Sequence, residues 1–393
     1  MKARKITALL MASLMAISMA ACGSSPAEDS GEASGDQEET AADQEETSGD
    51  SQETPEDSQE SGGDSDFAGE TLVIGVWGGT WREAFDEACV KPFEEKYGVT
   101  VEEEEMGDNI VAQTIAQVNQ DIEGIDVACG GGAADFGQYL GVKGAVKELD
   151  YSRIGNAEGI SDDAKCDYAV GMYICAEAFT YDNDAFPEIP EGAAGFFDTE
   201  NYPGDRSIRG FAGSGVLEQA LLADGVAFED MYPLDLDRAF AKLDTIKDSL
   251  TKFWSSGSEI VQTINDKEAV AGEYWFAHVN RAKDAGADVT MTYQDAAKFA
   301  DSFSIVTNTK KEDLAYAFID FCLDDQVQAN LCNLLGYAPI KESTLQYLDE
   351  DKQEELSCLY QSYEEGGTFW AQTEYWGDHF EEVSERYQLW IAE

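Results

Sequence analysis

The chain has 393 residues and carries 80 Asp and Glu against 25 Lys and Arg, so its formal net charge is −55 at pH 7. This charge excludes nucleic-acid binding, which requires Lys and Arg to neutralise phosphates. There are two histidines and no H-E-x-x-H pattern, which argues against a histidine-built zinc site, and we predict no metal and no cofactor.

Residues 1–21 have the form of an export signal. Basic residues at positions 2, 4 and 5 precede an apolar run shorter than the ~20 residues of a membrane-spanning helix. The run ends in MAAC, residues 19–22, which is similar to a bacterial lipobox with Met where Leu is commoner. We expect Cys22 to carry a lipid that anchors the protein in the cell envelope, at the outer face of the cytoplasmic membrane. An ordinary secretory signal followed by an incidental cysteine is the alternative.

The sequence predicts a disordered tether over residues 22–67. Positions 23–66 contain sixteen acidic residues, no Lys or Arg, and approximate repeats such as DQEETAADQEET. Such a segment cannot bury enough apolar surface to offset its ordering entropy, and its charges repel one another. We expect it to hold the folded part away from the membrane.

The folded part begins with strands and helices in alternation. TLVIGV, residues 71–76, has the composition of a buried strand. Thr80 and Glu83 then have the S/T-x-x-E form of a capping box with Thr80 as the N-cap, and Gly98 suits the end of that helix. Two further strands, separated by a helix, follow before residue 133. This order predicts an α/β fold with parallel strands joined by crossover connections.

Glycines and aromatic residues follow the predicted strands. Trp77, Gly78, Gly79 and Thr80 come after the first strand, and Gly130 opens a glycine loop after the third. Ligands of such sheets gather at the carboxyl ends of the strands, where glycine lets the backbone approach them closely. We predict that these residues contribute to a ligand-binding site.

The remaining chain continues the alternation. Apolar strands and amphipathic helices run from YAVGMYICAEAFTYD, residues 168–182, to LLGYAP, residues 334–339, where Gly336 ends a helix. The last 25 residues are rich in aromatics and predict a helix. Seven cysteines follow Cys22 without a C-x-x-C pair, so the sequence leaves their pairing open.

Signatures of catalysis are missing, whereas aromatic residues stand beside acids. Ser214 in AGSGV lacks the G-x-S-x-G frame of a nucleophile elbow. Glu273 lies near Trp275, and Asp301 follows Phe299. An aromatic face attracts an organic ammonium, and a carboxylate accepts its N–H bonds. The alternative places the aromatics in the core and the acids on the surface.

The order of motifs from residue 71 to residue 393 resembles the polyamine-type (spermidine/putrescine) substrate-binding lipoproteins of bacterial ABC importers. The motifs are VWGGTWREAFDEACVKPFEEKYGVTV, YPGDRSIRGF, LEQALLADGV, MYPLDLDRAFAKLDTIK, FADSFSIVTNTK, AFIDFCLDDQVQANL and LLGYAP.

The resemblance implies a two-lobed, periplasmic-binding-protein-like fold of type II. Two hinge strands would cross between the lobes, near residues 178–182 and 302–305. The first lobe would span 68–179, with 303–340 returning to it, and the second would span 180–302. Helices within 341–393 would pack across both lobes.

The resemblance also implies roles for individual residues in the cleft. Trp77 falls at the first-strand aromatic of the family and Trp275 at the tryptophan of the second lobe. Asp301 falls at the acid that grips an amino group, Phe299 at a neighbouring aromatic, and Tyr337 at the tyrosine of the GY-P turn.

The chain departs from the spermidine and putrescine binders at the start of one helix. Those proteins carry acidic residues where this chain has Ser214 and Gly215, so one end of a long diamine would lose its partner. We expect Glu177, beside a crossing, and Glu273 to be substitutes.

These observations predict a monomeric, non-enzymatic carrier that captures a small amine-bearing, polyamine-like solute and delivers it to an ABC permease. The alternative ligand is an amino acid or another short zwitterion. Its carboxylate would need a helix N-terminus or an arginine such as Arg82 or Arg209, although solvated surface is the ordinary place for both arginines. A membrane-anchored extracellular hydrolase is the rival from another class.

Overall fold

The computed structural model describes residues 66–213 and 215–393. The predicted export signal, Cys22, nearly all of the tether and Ser214 lie outside the described residues. The described strands are, in chain order, β1 Thr71–Val76, β2 Thr100–Glu105, β3 Val127–Gly132, β4 Lys165–Cys166, β5 Ala169–Asp182, β6 Arg206–Arg209, β7 Leu250–Trp254, β8 Ala271–Trp275, β9 Val289–Ile305, β10 Ala338–Pro339 and β11 Thr368–Trp370.

Helices alternate with these strands. They are α1 Thr80–Phe85, α2 Lys91–Tyr97, α3 Ile110–Asn119, α4 Ala133–Val142, α5 Gly192–Phe196, α6 Val216–Ala223, α7 Leu236–Asp244, α8 Gly257–Asn265, α9 Phe276–Asp284, α10 Glu312–Cys322, α11 Asp325–Leu335, α12 Glu350–Leu356, α13 Tyr363–Gly366 and α14 Thr373–Ala392. Among the described residues, no helix is both long enough and apolar enough to cross a membrane.

The predicted helix ends are right at two glycines and wrong at Thr80. Gly98 and Gly336 take left-handed conformations, with φ of 67° and 78°, and end α2 and α11. The N-cap of α1 is Gly79 and not Thr80, and no side chain caps this helix. Gly79 has φ of 64°, a conformation that glycine adopts without steric cost, so the helix begins one residue earlier than the capping-box pattern indicates.

The strands form one mixed sheet in the order β2-β1-β3-β9-β5-β8-β6-β7. At one end, β1 pairs in parallel with β2 and β3, and at the other, β6 pairs in parallel with β7 and β8. The two longest strands, β5 and β9, run antiparallel between these groups. The predicted parallel pairing is therefore confirmed within each group, and β5 and β9 join them.

The hydrophobic core follows the same division. One cluster includes Leu72, Val127 and the first half of β5, from Val170 to Ala176. A second includes Phe179 and Tyr181 from the other half of β5, together with residues of α6 and α7. Two cores joined by long strands define the two-lobed fold that the sequence predicts, and we call the lobe of β1 to β3 the first lobe and that of β6 to β8 the second.

The second crossing lies earlier in the chain than residues 302–305. Phe303 and Ile305 belong to the core of the first lobe. The register of β9 against β5 shifts instead between Thr292, opposite Phe179, and Ala297, opposite Glu177. The extra residues of β9 bulge there, so the strand bends between the lobes at this point.

The C-terminal helix contacts both lobes. Its residues Trp376 and Tyr387 are buried in the core of the second lobe. On the first lobe, the ring of Phe380 lies 5.6 Å from that of Tyr139 in α4, and the Glu381 carboxylate accepts hydrogen bonds from Tyr139 at 2.6 Å and Lys143 at 2.8 Å. Helix α14 therefore bridges the lobes away from the crossing strands.

Candidate ligand-binding site

An arginine is buried at the centre of the molecule, at the carboxyl end of β6. Arg209 is only 4% exposed. Its guanidinium carbon lies over the rings of Phe211, Trp254, Trp275 and Phe299, at 5.0, 5.7, 5.9 and 5.7 Å from their centroids. The expectation of solvated surface is wrong for this arginine, because aromatic rings attract and enclose its charge.

The partner of Arg209 is Glu177, which lies on β5 where that strand passes between the lobes. The guanidinium forms an ion pair with Oε1 of Glu177, whose side chain is fully buried. The same oxygen accepts a hydrogen bond from the indole nitrogen of Trp275 at 3.0 Å. The other oxygen, Oε2, is buried and makes no hydrogen bond to any described residue. Glu177 thus keeps one acceptor oxygen free of a described donor.

Glycine at position 215 leaves the space that Glu177 occupies. A Cβ added at Gly215 would overlap Oε2 of Glu177, and the φ of 127° also favours glycine. The carboxylate of Glu177 therefore lies beside the start of α6. Its substitution for the acidic residues that the resemblance implies at that helix stays a prediction.

Glu273 is buried on β8, close to Arg209. Its side chain is 1% exposed, and its backbone carbonyl accepts a hydrogen bond from the indole of Trp254 at 2.8 Å. Burial raises the pKa of Glu273 to about 7, and the charge of Arg209 acts in the opposite direction. The charge of Arg209 therefore lies close to Glu273, and a role of Glu273 in ligand binding stays a prediction.

A second carboxylate, Asp301, lies on the side of the first lobe. Its Oδ2 accepts a hydrogen bond from the phenol of Tyr173, whose oxygen accepts one from the indole of Trp81 at 2.7 Å. The Tyr173 ring stacks on Tyr337, with centroids 4.5 Å apart and an interplanar angle of 2°. Burial raises the pKa of Asp301 to about 6, and the bond from Tyr173 acts in the opposite direction.

Tyr173 and Trp81 are contacts that the sequence analysis does not place in the site. A period of two along β5 puts Tyr173 on the same face as Glu177, and this signal could have found it. The Trp81 ring also stacks on Phe85, with centroids 4.8 Å apart, and no sequence signal reveals its bond to Tyr173.

Asp301 and the ion pair of Glu177 with Arg209 lie at different positions along the central strands β5 and β9. Tyr173 pairs with Asp301, Cys175 with Phe299, and Glu177 with Ala297. Tyr173 and Glu177 are four residues apart, roughly 13 Å along a strand. The site therefore has a carboxylate at one end, a guanidinium with its carboxylate partner at the other, and aromatic rings between them.

A buried histidine lies next to this aromatic wall. Nε2 of His278 lies 3.4 Å from the hydroxyl of Tyr337. Burial lowers the pKa of His278 to about 4, and the nearby charge of Arg281 acts in the same direction. His278 is therefore neutral at pH 7 and adds no charge to the site.

The first-strand residues occupy the edge of the first lobe. Trp77 is half-buried and lies against Gly130, since a Cβ added at Gly130 would overlap the indole nitrogen. Gly78 lies beside the carboxylate of Glu105, whereas Gly79 and Thr80 are exposed. The structure thus brings Trp77 and Gly130 together, and a ligand contact for these five residues stays a prediction.

We expect Gly130→Ala to displace the Trp77 ring. The substitution adds an atom in the space that the indole occupies. It also places a Cβ on a backbone with φ of 95°, and this strain alone costs about 1–3 kcal/mol. Gly144→Ala is the matched control, because its φ is 70° and nothing lies within 4 Å of the added Cβ. Tryptophan fluorescence and urea unfolding measure both effects, and equal spectra for the two variants would contradict the contact.

Arg82, the other arginine considered for a carboxylate, is paired on the surface of the first lobe. It forms ion pairs with Glu103 at 3.2 Å and with Glu105 at 2.9 Å, and its side chain is 40% exposed. It is therefore not placed with Arg209. Within the described part of the chain, no group of three or more His, Cys, Asp or Glu side chains could hold a metal ion, and the seven described cysteines are free thiols.

Two lobes joined by crossing strands, with charged and aromatic side chains buried where they meet, define a protein that encloses a small solute. The chain belongs to the family of bacterial extracellular solute-binding proteins, whose model matches residues 88–356. It is a substrate-binding protein of the ABC transporter type and not an enzyme, since its relatives are transport proteins.

Two of the similar proteins are named for γ-aminobutyric acid, and a third is in complex with agropinic acid. The chain is 27% identical over 335 residues to the γ-aminobutyric acid-binding protein of Pseudomonas aeruginosa, covering 82% of this chain and 91% of that protein. It is 31% identical to a solved GABA receptor structure, with a TM-score of 0.75, covering 81% of this chain and 97% of the other. It is 25% identical to a binding protein from A. tumefaciens R10 in complex with agropinic acid, with a TM-score of 0.69, covering 82% and 99%.

Proposed function

We propose that this protein captures a short zwitterion, with an ammonium at one end and a carboxylate at the other as in γ-aminobutyrate, and delivers it to an ABC permease. The observation that carries this proposal is the burial of Arg209 in the same site as two carboxylates, Glu177 and Asp301. A site for a purely cationic guest has no use for a buried guanidinium.

Arg209 is the group that we expect to bind the carboxylate of the guest. A guanidinium presents several N–H donors in a plane and binds carboxylates in a bidentate manner. The aromatic rings around it exclude water, which strengthens the interaction. The carboxylate of the guest must share the guanidinium with Glu177. We therefore expect high affinity only for a guest that makes a second contact elsewhere in the site.

Asp301 is the group that we expect to accept N–H bonds from the ammonium, since Glu177 lies with Arg209 at the other end of the site. Asp301 has one hydrogen bond in the structure, from Tyr173, and its remaining acceptor positions are available to a cation. The rings of Trp275 and Phe299 between the charged groups suit the alkyl chain of the guest. The γ-aminobutyric acid relatives support this chemistry, and a polyamine would place an ammonium against Arg209.

Delivery requires only a difference in affinity between open and closed lobes. We expect the lipid on Cys22 to keep the carrier at the membrane and the acidic tether to give it reach toward the permease. The protein would act there as a monomer.

A series of four-carbon ligands tests the proposal. The mature chain from residue 22, with Cys22→Ser to prevent lipidation, is titrated calorimetrically with γ-aminobutyrate, putrescine, butyrate and butylamine. We expect γ-aminobutyrate to bind at least about 100-fold more tightly than the other three, since each lacks one of the two charged contacts, and this ratio corresponds to about 2.8 kcal/mol. Tighter binding of putrescine would restore the polyamine interpretation and exclude ours.

A further inference from the structure

The crossing strands have a second face, opposite the candidate site. Side chains alternate across a strand, so Phe299 and Asp301 of β9 lie toward the candidate site and Lys298 lies toward the other face. Lys298 and Ile174 line a cavity of about 610 Å³ there. We call this space the rear cavity, and its volume falls in the range of small-molecule sites, about 300–1,000 Å³.

Lys298 carries a buried ammonium that forms no ion pair with any described carboxylate. Its side chain is 2% exposed, and Nζ donates to the backbone carbonyls of Leu359 at 2.8 Å and Gln361 at 3.3 Å. An ammonium has three N–H donors, so one remains. Burial lowers the pKa of Lys298 to about 8, and the more distant carboxylate of Asp163 acts in the opposite direction, so the group is mostly charged at pH 7. A buried charge of this kind is costly unless a counter-charge meets it.

Aromatic rings form much of the wall around this lysine. Nζ lies 5.3 Å from the ring centroid of Trp370, and the rings of Tyr360, Tyr363 and Phe228 also line the cavity. The acids that line the cavity, Asp163, Glu229 and Glu342, are exposed at its rim. The interior therefore suits one negative charge on an apolar body, and the rim repels a guest with several negative charges.

We propose that the rear cavity is a second binding site, which takes a small monocarboxylate with an aromatic or apolar body and places its carboxylate on Lys298. The site shares no side chain with the candidate zwitterion site and does not depend on the nature of the guest there. Its walls include Ile174 from the core of the first lobe and Tyr232 beside the core of the second, so it lies between the lobes at the back of the hinge.

Titration with phenylacetate tests the proposal, with the neutral isostere 2-phenylacetamide as the ligand control. Lys298→Met removes the charge and replaces the side chain by an unbranched apolar one that is a single atom shorter. Gln372→Trp fills the rim from an exposed position and leaves Lys298 in place. Lys310→Met, at an exposed lysine outside the cavity, is the matched control. The double variant Arg209→Met with Glu177→Gln removes both charges of the ion pair in the candidate zwitterion site. A loss of phenylacetate binding in this variant would therefore indicate that phenylacetate binds there.

We expect phenylacetate to bind the wild type, Lys310→Met and the double variant alike, and to bind Lys298→Met and Gln372→Trp at least about tenfold more weakly. Phenylacetamide should bind all proteins weakly. The proposal is overturned if phenylacetate does not bind the wild type, or if both cavity variants bind it as the wild type does. It is equally overturned if binding is lost in the double variant and kept in Lys298→Met.

Discussion

Arg209→Met is expected to abolish binding of a carboxylate-bearing guest and to lower the free energy of unfolding by about 3–5 kcal/mol. The loss of stability arises because Glu177 would remain buried without its partner, which is the costly way to break a buried ion pair. The loss of affinity arises because Arg209 is the guanidinium that the aromatic rings of the site enclose. Calorimetric titration with γ-aminobutyrate and urea unfolding measure the two effects.

A second variant separates stability from binding. Arg209→Met combined with Glu177→Gln removes both charges, so we expect it to recover most of the stability and none of the affinity. Arg82→Met is the matched control, since its ion pairs are exposed and worth about 1 kcal/mol or less. Undiminished affinity of the double variant would show that Arg209 is a structural residue only.

Asp301→Asn is expected to weaken binding of the ammonium end by roughly 30- to 5,000-fold. The change removes one partner of a desolvated charge pair, which costs about 2–5 kcal/mol. The asparagine has almost the same shape and still accepts the bond from Tyr173, so we expect the fold to persist. Asp284→Asn, at an exposed acid that ends α9, is the matched control.

The same carboxyl gives the affinity a dependence on pH. Because the pKa of Asp301 is raised to about 6, the group takes up a proton as the pH falls through that value, and affinity for an ammonium should decline roughly tenfold per pH unit below it. The contribution of Asp301 to the free energy of unfolding depends on pH in the opposite sense. The folded state holds this proton more tightly than the unfolded state does, so the stabilisation by Asp301 is complete below pH 4 and is lost as the pH rises through 6.

Asp301→Asn should remove this dependence of affinity between pH 5 and 7. Any dependence that remains in the variant reports Glu273, whose pKa is about 7 and which lies beside Arg209. An unchanged pH profile in Asp301→Asn would contradict the assignment of the ammonium to Asp301.

The parts of the fold that the sequence predicts are those that local chemistry decides. Gly98 and Gly336 end helices because they adopt a left-handed backbone. The alternation of strands and helices gives the parallel pairing in both lobes. The crossing in β9 was misplaced because the strand runs without a break from residue 289 to residue 305, and the bend within it depends on its register against β5.

The central feature of the site could not be read from local chemistry. Arginine is almost never fully buried without a partner, so an arginine at the end of a short strand indicates surface. The partner, Glu177, lies 32 residues earlier on another strand, and only the sheet order brings the two together. By contrast, Trp275 and Asp301 were considered as site residues because an aromatic beside an acid is visible within a few residues.

The bridge made by α14 has a consequence for how long a guest stays. The helix packs among the buried aromatic residues of the second lobe and contacts α4 of the first lobe through Phe380 and Glu381. An opening of the lobes that moves α4 away from α14 would therefore break an aromatic contact and two hydrogen bonds outside the candidate site. We therefore expect residence time in the carrier to depend partly on the twenty residues of α14, which can change without altering what the carrier recognises.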